Sequence, residues 1–298
     1  MIKVNLSLVL VSCLTIGHFS KSFIFKLLQE EPENNQIGII NQSFKNSEHI
    51  TFWGSSTSNM NFIPSIISDS LKVNCFNYGI SGTSFNQQPH LDNFVRSNNN
   101  KVIVWVINPF HLFDKLQIID EEELFIHWID SPAVYEHFKN KNPVTGFSLK
   151  HFGIYGVFKL TSKHWSYLIN PKTEQIQHDN GYIKRSSKFV NKNNMYEKKS
   201  KTTKIKSDQL ISKAEEISNK HELIIIIPPI INLENILPIQ DLERDLKLKN
   251  IELINYANNL NFKDTLLFQD NIHLNYFGAS KITKDLIQKF KARGIGKI

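Results

Sequence analysis

Cysteine, glycine and proline are all scarce in this chain. Its 298 residues include two cysteines, 12 glycines and 10 prolines. Two cysteines, Cys13 and Cys75, cannot form a disulfide framework, and neither lies at a spacing typical of a zinc site. The low glycine and proline content excludes a collagen-like chain and argues against a broadly disordered one. With 41% apolar residues, the sequence predicts a folded protein with a full hydrophobic core.

The net charge and the histidine spacing argue against some functions but do not identify one. The formal net charge of +7 is compatible with an anionic partner but does not name one. A nucleic-acid-binding protein is one interpretation, but no recognised binding motif supports it. The histidines show no ligand spacing such as His-Glu-x-x-His. We therefore predict no nucleic-acid partner, no metal site and no cofactor.

Residues 1–28 form a mostly apolar segment that begins near a positive charge, Lys3. This segment approaches the roughly 20 residues that a membrane span requires, although Lys21 interrupts it. Because no clear cleavage site follows, the pattern favours an uncleaved signal-anchor over a removed signal peptide. Leu10-Val11-Ser12-Cys13 also resembles a lipobox, and a cytoplasmic protein with a buried first helix is a further interpretation. We expect a membrane-anchored, extracytoplasmic protein on the periplasmic or cell-surface side.

Residues 29–47 are predicted to be a linker, because their first part is acidic, polar and broken by Pro32. Over residues 48–298, apolar strands alternate with helices, a pattern typical of a parallel sheet covered on both faces. We therefore predict a three-layer α/β/α domain. Residues 112–206 interrupt the pattern as an insertion. The expected strands lie near 49–53, 73–78, 101–107, 222–227 and 252–254, and the expected helices near 61–71, 207–220, 242–248 and 277–293.

The insertion is rich in aromatics and histidines and ends in a basic run. Trp128 and Trp165 could stack on sugar rings, or they could belong to a small satellite core. The basic run from Lys184 to Lys206 could meet an anionic polymer or lipid headgroups. A solvated surface loop is the interpretation that we favour for it.

Polar residues follow the predicted strands at the points where they end. Ser56 follows the first strand, Gly82 the second and Asn108 the third, while Asp270 and His273 precede the last helix. In parallel sheets covered by helices, reactive groups collect at the carboxyl ends of the strands. We therefore expect these five residues to share one edge of the sheet.

Each of these residues has a chemical task that fits acyl transfer. An Asp three residues before a His can fix one imidazole tautomer, which leaves the other ring nitrogen of His273 free to take a proton from Ser56. Gly82 and Asn108 could donate N–H groups to a developing oxyanion. Taken singly, such residues are more simply helix caps or turn residues. The five residues together, in this order and on these elements, are more specific for acyl transfer than any one of them alone.

Three sequence blocks resemble the SGNH (GDSL-type) hydrolase superfamily. Gly54-Ser55-Ser56 stands where that family has G-D-S, and the block from Asn77 to Gly82 (NYGISG) matches the second one. Asp270 to Asn275 (DNIHLN) matches the final D-x-x-H block. The third block of the family is not matched in this chain, because Ile107-Asn108-Pro109 stands where the family has G-x-N-D.

This resemblance implies a flavodoxin-like SGNH fold with Ser56 as nucleophile, Asp270 and His273 completing a catalytic triad, and Gly82 as oxyanion glycine. It covers roughly residues 48–111 and 207–292. With an N-terminal anchor and Ile-Pro-Pro after a late strand, the chain looks most like the membrane-anchored branch that works beside membrane-bound O-acyltransferases. That branch acts in alginate O-acetylation and teichoic-acid D-alanylation.

By this resemblance, the protein would transfer or remove acyl (acetyl) groups through an acyl-Ser56 intermediate. The implied partners are an acylated carbohydrate or cell-surface polymer and a membrane-bound O-acyltransferase. Water or a sugar hydroxyl could resolve the intermediate, so esterase and transferase activities both stay open. A catalytically decayed scaffold protein on the same fold is the alternative, and it predicts that Ser56→Ala leaves function intact.

Overall fold

Two compact units make up the chain. We call Met1–Lys45, Pro89–Phe94 and Glu121–Gln175 the helical unit, and Asn46–Gln88, Val95–Asp120 and Ile176–Ile298 the sheet unit. The computed structural model describes residues 6–33, 35–45, 48–112, 122–169, 178–185, 189, 204–231, 237–257 and 259–296. The helices are α1 (Leu6–Gln29), α2 (Gln36–Lys45), α3 (Ser56–Asn59), α4 (Pro64–Leu71), α5 (Pro89–Ser97), α6 (Pro132–Lys141), α7 (Pro143–His151), α8 (Gly153–Phe158), α9 (Ser162–Ile169), α10 (Lys204–Ser218), α11 (Leu237–Leu248) and α12 (Tyr276–Ala292).

A parallel sheet forms the centre of the sheet unit. The strands of this unit are β1 (Ile50–Gly54), β2 (Cys75–Asn77), β3 (Val102–Val106), β4 (His178–Asp179), β5 (Tyr182–Ile183), β6 (Glu222–Ile227) and β7 (Glu252–Asn255). Five of them form the parallel sheet in the order β2-β1-β3-β6-β7, and β4 pairs with β5 in a separate antiparallel hairpin.

The central strands are apolar on both faces, and this explains their position. All residues of β1 and β3 are buried, and Trp53 of β1 pairs in register with Trp105 of β3. A strand that is buried on both sides needs helices above and below it. One face of the sheet packs against α4 and α12 through residues such as Phe52, Phe62 and Phe290. The predicted α/β architecture with a parallel sheet is confirmed.

Most predicted elements of the sheet unit occur within a few residues of their expected positions. The strand at 222–227 is found as predicted, and the last helix is Tyr276–Ala292. The helix expected from residue 61 begins only at Pro64, because the residue before a proline is held in an extended conformation, as Ile63 is. That delay leaves Asn61 outside the helix.

The helical unit contains α1, α2, α6 to α9 and a 3₁₀ segment, Glu122–Trp128. The predicted linker over residues 29–47 differs from the structure, since α2 lies within it and buries Ile37, Ile39 and Ile40. These apolar residues follow the acidic stretch. Because they form an apolar face that can be buried, the segment folds as a helix and not as a linker. Helix α1 occupies the predicted anchor region, but within the described ranges no helix is both long and apolar enough to cross a membrane.

The insertion contributes to both units. Helices α6 to α9 belong to the helical unit, and the hairpin of β4 and β5 belongs to the sheet unit. Trp128 stacks on Phe44 at 4.3 Å between ring centroids, so this tryptophan is part of a satellite core. Much of the basic run, residues 186–188 and 190–203, lies outside the described residues.

Candidate active site

Ser56 is the first residue of α3, directly after the tight turn that ends β1. Gly54 makes this turn possible, because its φ of +145° is rarely adopted by other residues. A side chain at Gly54 would also collide with Val106, since an added Cβ would lie 2.4 Å from the Val106 carbonyl oxygen. The strand end is therefore pressed against β3, and Ser56 stands at the carboxyl edge of the sheet.

Ser56, His273 and Asp270 form a continuous hydrogen-bonded chain. The Ser56 hydroxyl lies 2.8 Å from His273 Nε2, and His273 Nδ1 lies 2.9 Å from both carboxylate oxygens of Asp270. An ionised carboxylate only accepts hydrogen bonds, so Nδ1 carries the proton in this arrangement and Nε2 is free to accept one. The residues that the sequence placed in two distant blocks meet within hydrogen-bonding distance.

Asp270 is held in its ionised form. Its burial would raise the pKa of the carboxyl, but the bonds and charge of His273 outweigh this, and the N–H groups of Ile272 and His273 add to them. The pKa of Asp270 therefore lies well below its usual range. A permanently ionised Asp270 can orient the imidazole and stabilise its protonated form.

Asn61 fixes the backbone on both sides of His273. Its amide nitrogen donates to the Ile272 carbonyl at 3.3 Å, and its amide oxygen accepts from the Leu274 N–H at 2.8 Å. The side chain is fully buried. Sequence reasoning missed this residue because Asn61 was expected to lie in a helix, and no spacing in the chain links it to His273.

Two further asparagines connect α3 to the loop that follows β2. Asn59 donates to the Gly79 carbonyl at 2.9 Å and to the Ser81 hydroxyl at 3.3 Å. Asn77 donates to the Ser58 carbonyl at 2.8 Å, and its oxygen accepts from the Ser58 hydroxyl. The loop that carries Gly82 is thus attached to the short helix that carries Ser56.

Gly82 and Asn108 lie in the loops that follow β2 and β3, the two strands that flank β1. Gly82 has a φ of +84°, so its backbone adopts a conformation that favours glycine. Asn108 is buried, and its side-chain oxygen accepts the Phe110 N–H at 3.1 Å. That bond leaves the amide nitrogen of Asn108 available as a donor. Within the described residues, neither Gly82 nor Asn108 hydrogen-bonds to Ser56.

Arg185 brings a positive charge to the site from the hairpin of the insertion. Its Nε donates toward Met60 Sδ at 3.1 Å, and Met60 directly follows α3. Burial lowers the pKa of the guanidinium, and the negative charge of Asp270 partly offsets this. Lys184, its neighbour, lies 4.8 Å from the centre of the Tyr276 ring. The beginning of the basic run is therefore near the candidate site, with Arg185 partly buried and Lys184 exposed.

One sequence signal could have located this hairpin. Asn180-Gly181 is the dipeptide typical of a two-residue hairpin turn, and both residues have positive φ values, 47° and 85°. The Asn180 carbonyl also accepts the Asn77 N–H at 2.9 Å, which holds the turn against the end of β2. A turn signal inside an otherwise irregular insertion thus marks the part that returns to the sheet.

Together these residues provide a nucleophile, a base and a fixed orienting carboxylate. The serine proton can pass to His273 Nε2, after which Ser56 Oγ can attack a carbonyl carbon. Comparisons with models of known protein families and with curated proteins give no match for this chain.

Proposed function

We propose that this protein is a serine-dependent acyl esterase or acyltransferase whose sheet unit has the flavodoxin-like SGNH fold. The observation that carries the proposal is the hydrogen-bonded chain from Ser56 through His273 to Asp270. A chance serine and a chance Asp-x-x-His motif would rarely meet at the required tautomer and distance. The strand order β2-β1-β3-β6-β7 and the positions of Gly82 and Asn108 at flanking strand ends support the same assignment.

The reaction proceeds by two acyl transfers. As Ser56 Oγ attacks the acyl carbon of an ester, its proton moves to His273 Nε2, and N–H donors such as those of Gly82 and Asn108 would stabilise the oxyanion. Collapse of the intermediate breaks the bond to the leaving oxygen, which takes the proton from His273 and departs as an alcohol. Water or a sugar hydroxyl then attacks acyl-Ser56, again with His273 as base, and releases the serine.

The resemblance to the membrane-anchored SGNH branch supplies the expected substrate class. We propose an acylated, in particular an acetylated, cell-surface polysaccharide as substrate and an extracytoplasmic location at a membrane. A membrane-bound O-acyltransferase is the partner that this branch implies. Arg185 beside the candidate site would suit a polymer that carries negative charge.

The test is hydrolysis of p-nitrophenyl acetate by the full chain, with intact-mass spectrometry to detect an acetyl adduct. We expect Ser56→Ala to lower the rate on the order of 10³-fold or more and to abolish the adduct. Ser55→Ala is the matched control, since Ser55 is buried and, among the described residues, its hydroxyl hydrogen-bonds only to the Thr57 hydroxyl. It should keep most of the activity.

Two results would contradict the proposal. If neither the wild type nor Ser55→Ala reacts with p-nitrophenyl acetate or with an acetylated polysaccharide, a catalytically decayed scaffold protein becomes the better account. If the rate and the adduct persist in Ser56→Ala, another nucleophile carries the reaction. Acetyl transfer to an added oligosaccharide, measured against release of free acetate, separates a transferase from a plain esterase.

A further inference from the structure

The outward surface of α1 carries large apolar side chains among smaller polar ones, where a water-exposed helix normally has none. Leu14, Ile16, Phe19 and Phe23 are 44%, 65%, 69% and 66% exposed. A helix with apolar residues on all sides is normally covered on all sides. Where the burial of its side chains is described, at residues 12 and 14–29, the buried positions of this helix, such as Lys21, Phe25 and Leu28, fall on one stripe.

That covered stripe contains the helix's central charge. Lys21 is 3% exposed, and its ammonium group donates to the Lys150 carbonyl at 2.9 Å. It also lies 3.4 Å from an Asp130 carboxylate oxygen. The polar group is thus directed inward and satisfied there, while large apolar groups point outward. This reversed arrangement is typical of helices that contact lipid.

The helices of the insertion continue this apolar surface. Gly17 of α1 and Gly153 of α8 touch, since a Cβ on Gly153 would lie 2.1 Å from the Gly17 carbonyl oxygen. An apolar groove of about 330 Å³ joins α1, α8 and α9 and is lined by Ser20, Ile154, Val157, Phe158 and Trp165. The exposed apolar side chains of α7 to α9 include Val144 (75%), Phe158 (81%) and Ile169 (80%).

Charge identifies the occupant of this surface. Residues 6–29 and 143–169, which contain α1 and α7 to α9, together include five lysines and no aspartate or glutamate. Lys26 and Lys159, among these lysines, are exposed. An apolar surface whose own helices carry lysines and no carboxylates complements the acyl region and the anionic headgroups of a bilayer leaflet.

We infer that α1 and the insertion helices α7, α8 and α9 form one lipid-binding surface that inserts into an anionic membrane. The helical part of the insertion is then a membrane-contacting element and not a polysaccharide-recognition element. The inference uses the membrane location of the proposed function but does not depend on its chemistry.

The test is flotation of the full chain, purified in mild detergent, with phosphatidylcholine vesicles that either contain or lack phosphatidylglycerol. The informative variant is Val144→Ser/Phe158→Ser/Ile169→Ser, which leaves α1 intact. Its matched control is Leu248→Ser/Leu260→Ser/Leu266→Ser, because these leucines of the sheet unit are 76%, 79% and 77% exposed. The two variants remove comparable exposed apolar groups from different units.

We expect the wild type and the control variant to float, more strongly with phosphatidylglycerol, and the insertion variant to float about tenfold less. Flotation of the insertion variant at the wild-type level would overturn the inference. So would a wild type that stays with the membranes of expressing cells but ignores lipid-only vesicles, since a membrane protein would then cover this surface. Ser56→Ala should float normally, so failure of the catalytic proposal is scored separately by ester hydrolysis.

Discussion

Helices α1 and α12 distribute their polar and apolar residues in opposite ways. In α12, Ile282, Leu286 and Phe290 are buried against the sheet, while its lysines lie toward water. In α1, Lys21 is buried and Phe19 is exposed. The sheet unit thus follows the rules of a water-soluble domain, and α1 reverses them. The lipid-binding inference accounts for this difference, because it gives the two units different surroundings: water for one, and an apolar phase against α1 for the other.

A change at Asp270 should have the largest effect and should be confined to the sheet unit. Asp270→Asn can no longer hold the productive His273 tautomer, so turnover should fall about 10²–10⁴-fold while vesicle flotation stays unchanged. Steady-state hydrolysis of p-nitrophenyl acetate measures the first effect. Asp264→Asn is the control, since Asp264 caps the nearby segment Thr265–Leu267 from an exposed position. A full rate in Asp270→Asn would show that the observed hydrogen bonds do not serve catalysis.

Asn61→Ala should produce the next largest effect, in both stability and turnover. It leaves the Ile272 carbonyl and the Leu274 N–H without their buried partner, which should lower the free energy of unfolding by about 3 kcal/mol. Because the backbone around His273 loosens, kcat should fall about tenfold with KM unchanged.

Urea denaturation and the separation of kcat from KM measure these two effects. Asn259→Ala removes an asparagine oxygen that accepts one N–H in a more exposed loop, at Asn261. It should cost less than about 1 kcal/mol and leave kcat unchanged. If Asn61→Ala lost stability but kept its kcat, Asn61 would be structural only and would not position His273.

More of the fold than of the candidate site could be predicted from the sequence. The strand at Glu222–Ile227 was found as expected because a run of apolar residues can be buried on both faces only in a central strand. Ser56, Asp270 and His273 were predicted because their blocks resemble a known family. Asn61 and Arg185 were not predicted as site residues, since each reaches the site through a fold-dependent contact. The reversed pattern of α1 could not be predicted either, because an apolar run does not reveal which face is covered.

Acidification should destabilise the helical unit in particular, because two of its buried histidines, His127 and His164, have lowered pKa values. Burial lowers the pKa of His164 to about 4, and burial together with the charge of His164 holds the pKa of His127 well below its usual range. The unfolded chain binds protons below about pH 6.5, whereas the folded histidines do not. Stability is therefore fully present above about pH 6.5 and is lost as the pH falls toward 4, by about 2 kcal/mol at pH 5 for His164 alone.

Urea midpoints at neutral and acidic pH in wild type and His164→Asn measure this loss. The asparagine can still accept the hydrogen bond that Thr161 donates to His164 Nδ1, but it does not titrate. We expect its acid-induced loss to be smaller by about 2 kcal/mol. His151→Asn, at an exposed histidine of the same unit, is the control and should behave as the wild type does. An equal loss in wild type and His164→Asn would assign the acid sensitivity to other groups.

Arg185→Gln should have the smallest effect on activity. This variant tests whether the cations of the two units have different roles. In the helical unit, lysines flank an apolar surface, whereas the charge of Arg185 interacts with that of Asp270 at the candidate site. If Arg185 meets an anionic polymer, its loss should lower kcat/KM on an acetylated acidic polysaccharide about threefold at low salt and change p-nitrophenyl acetate hydrolysis much less. Lys263→Gln is a control that removes a cation from an exposed loop of the same unit. An equal loss on both substrates would instead assign Arg185 to the electrostatics of the Asp270–His273 pair, and the positive charge at the site would then say nothing about the substrate.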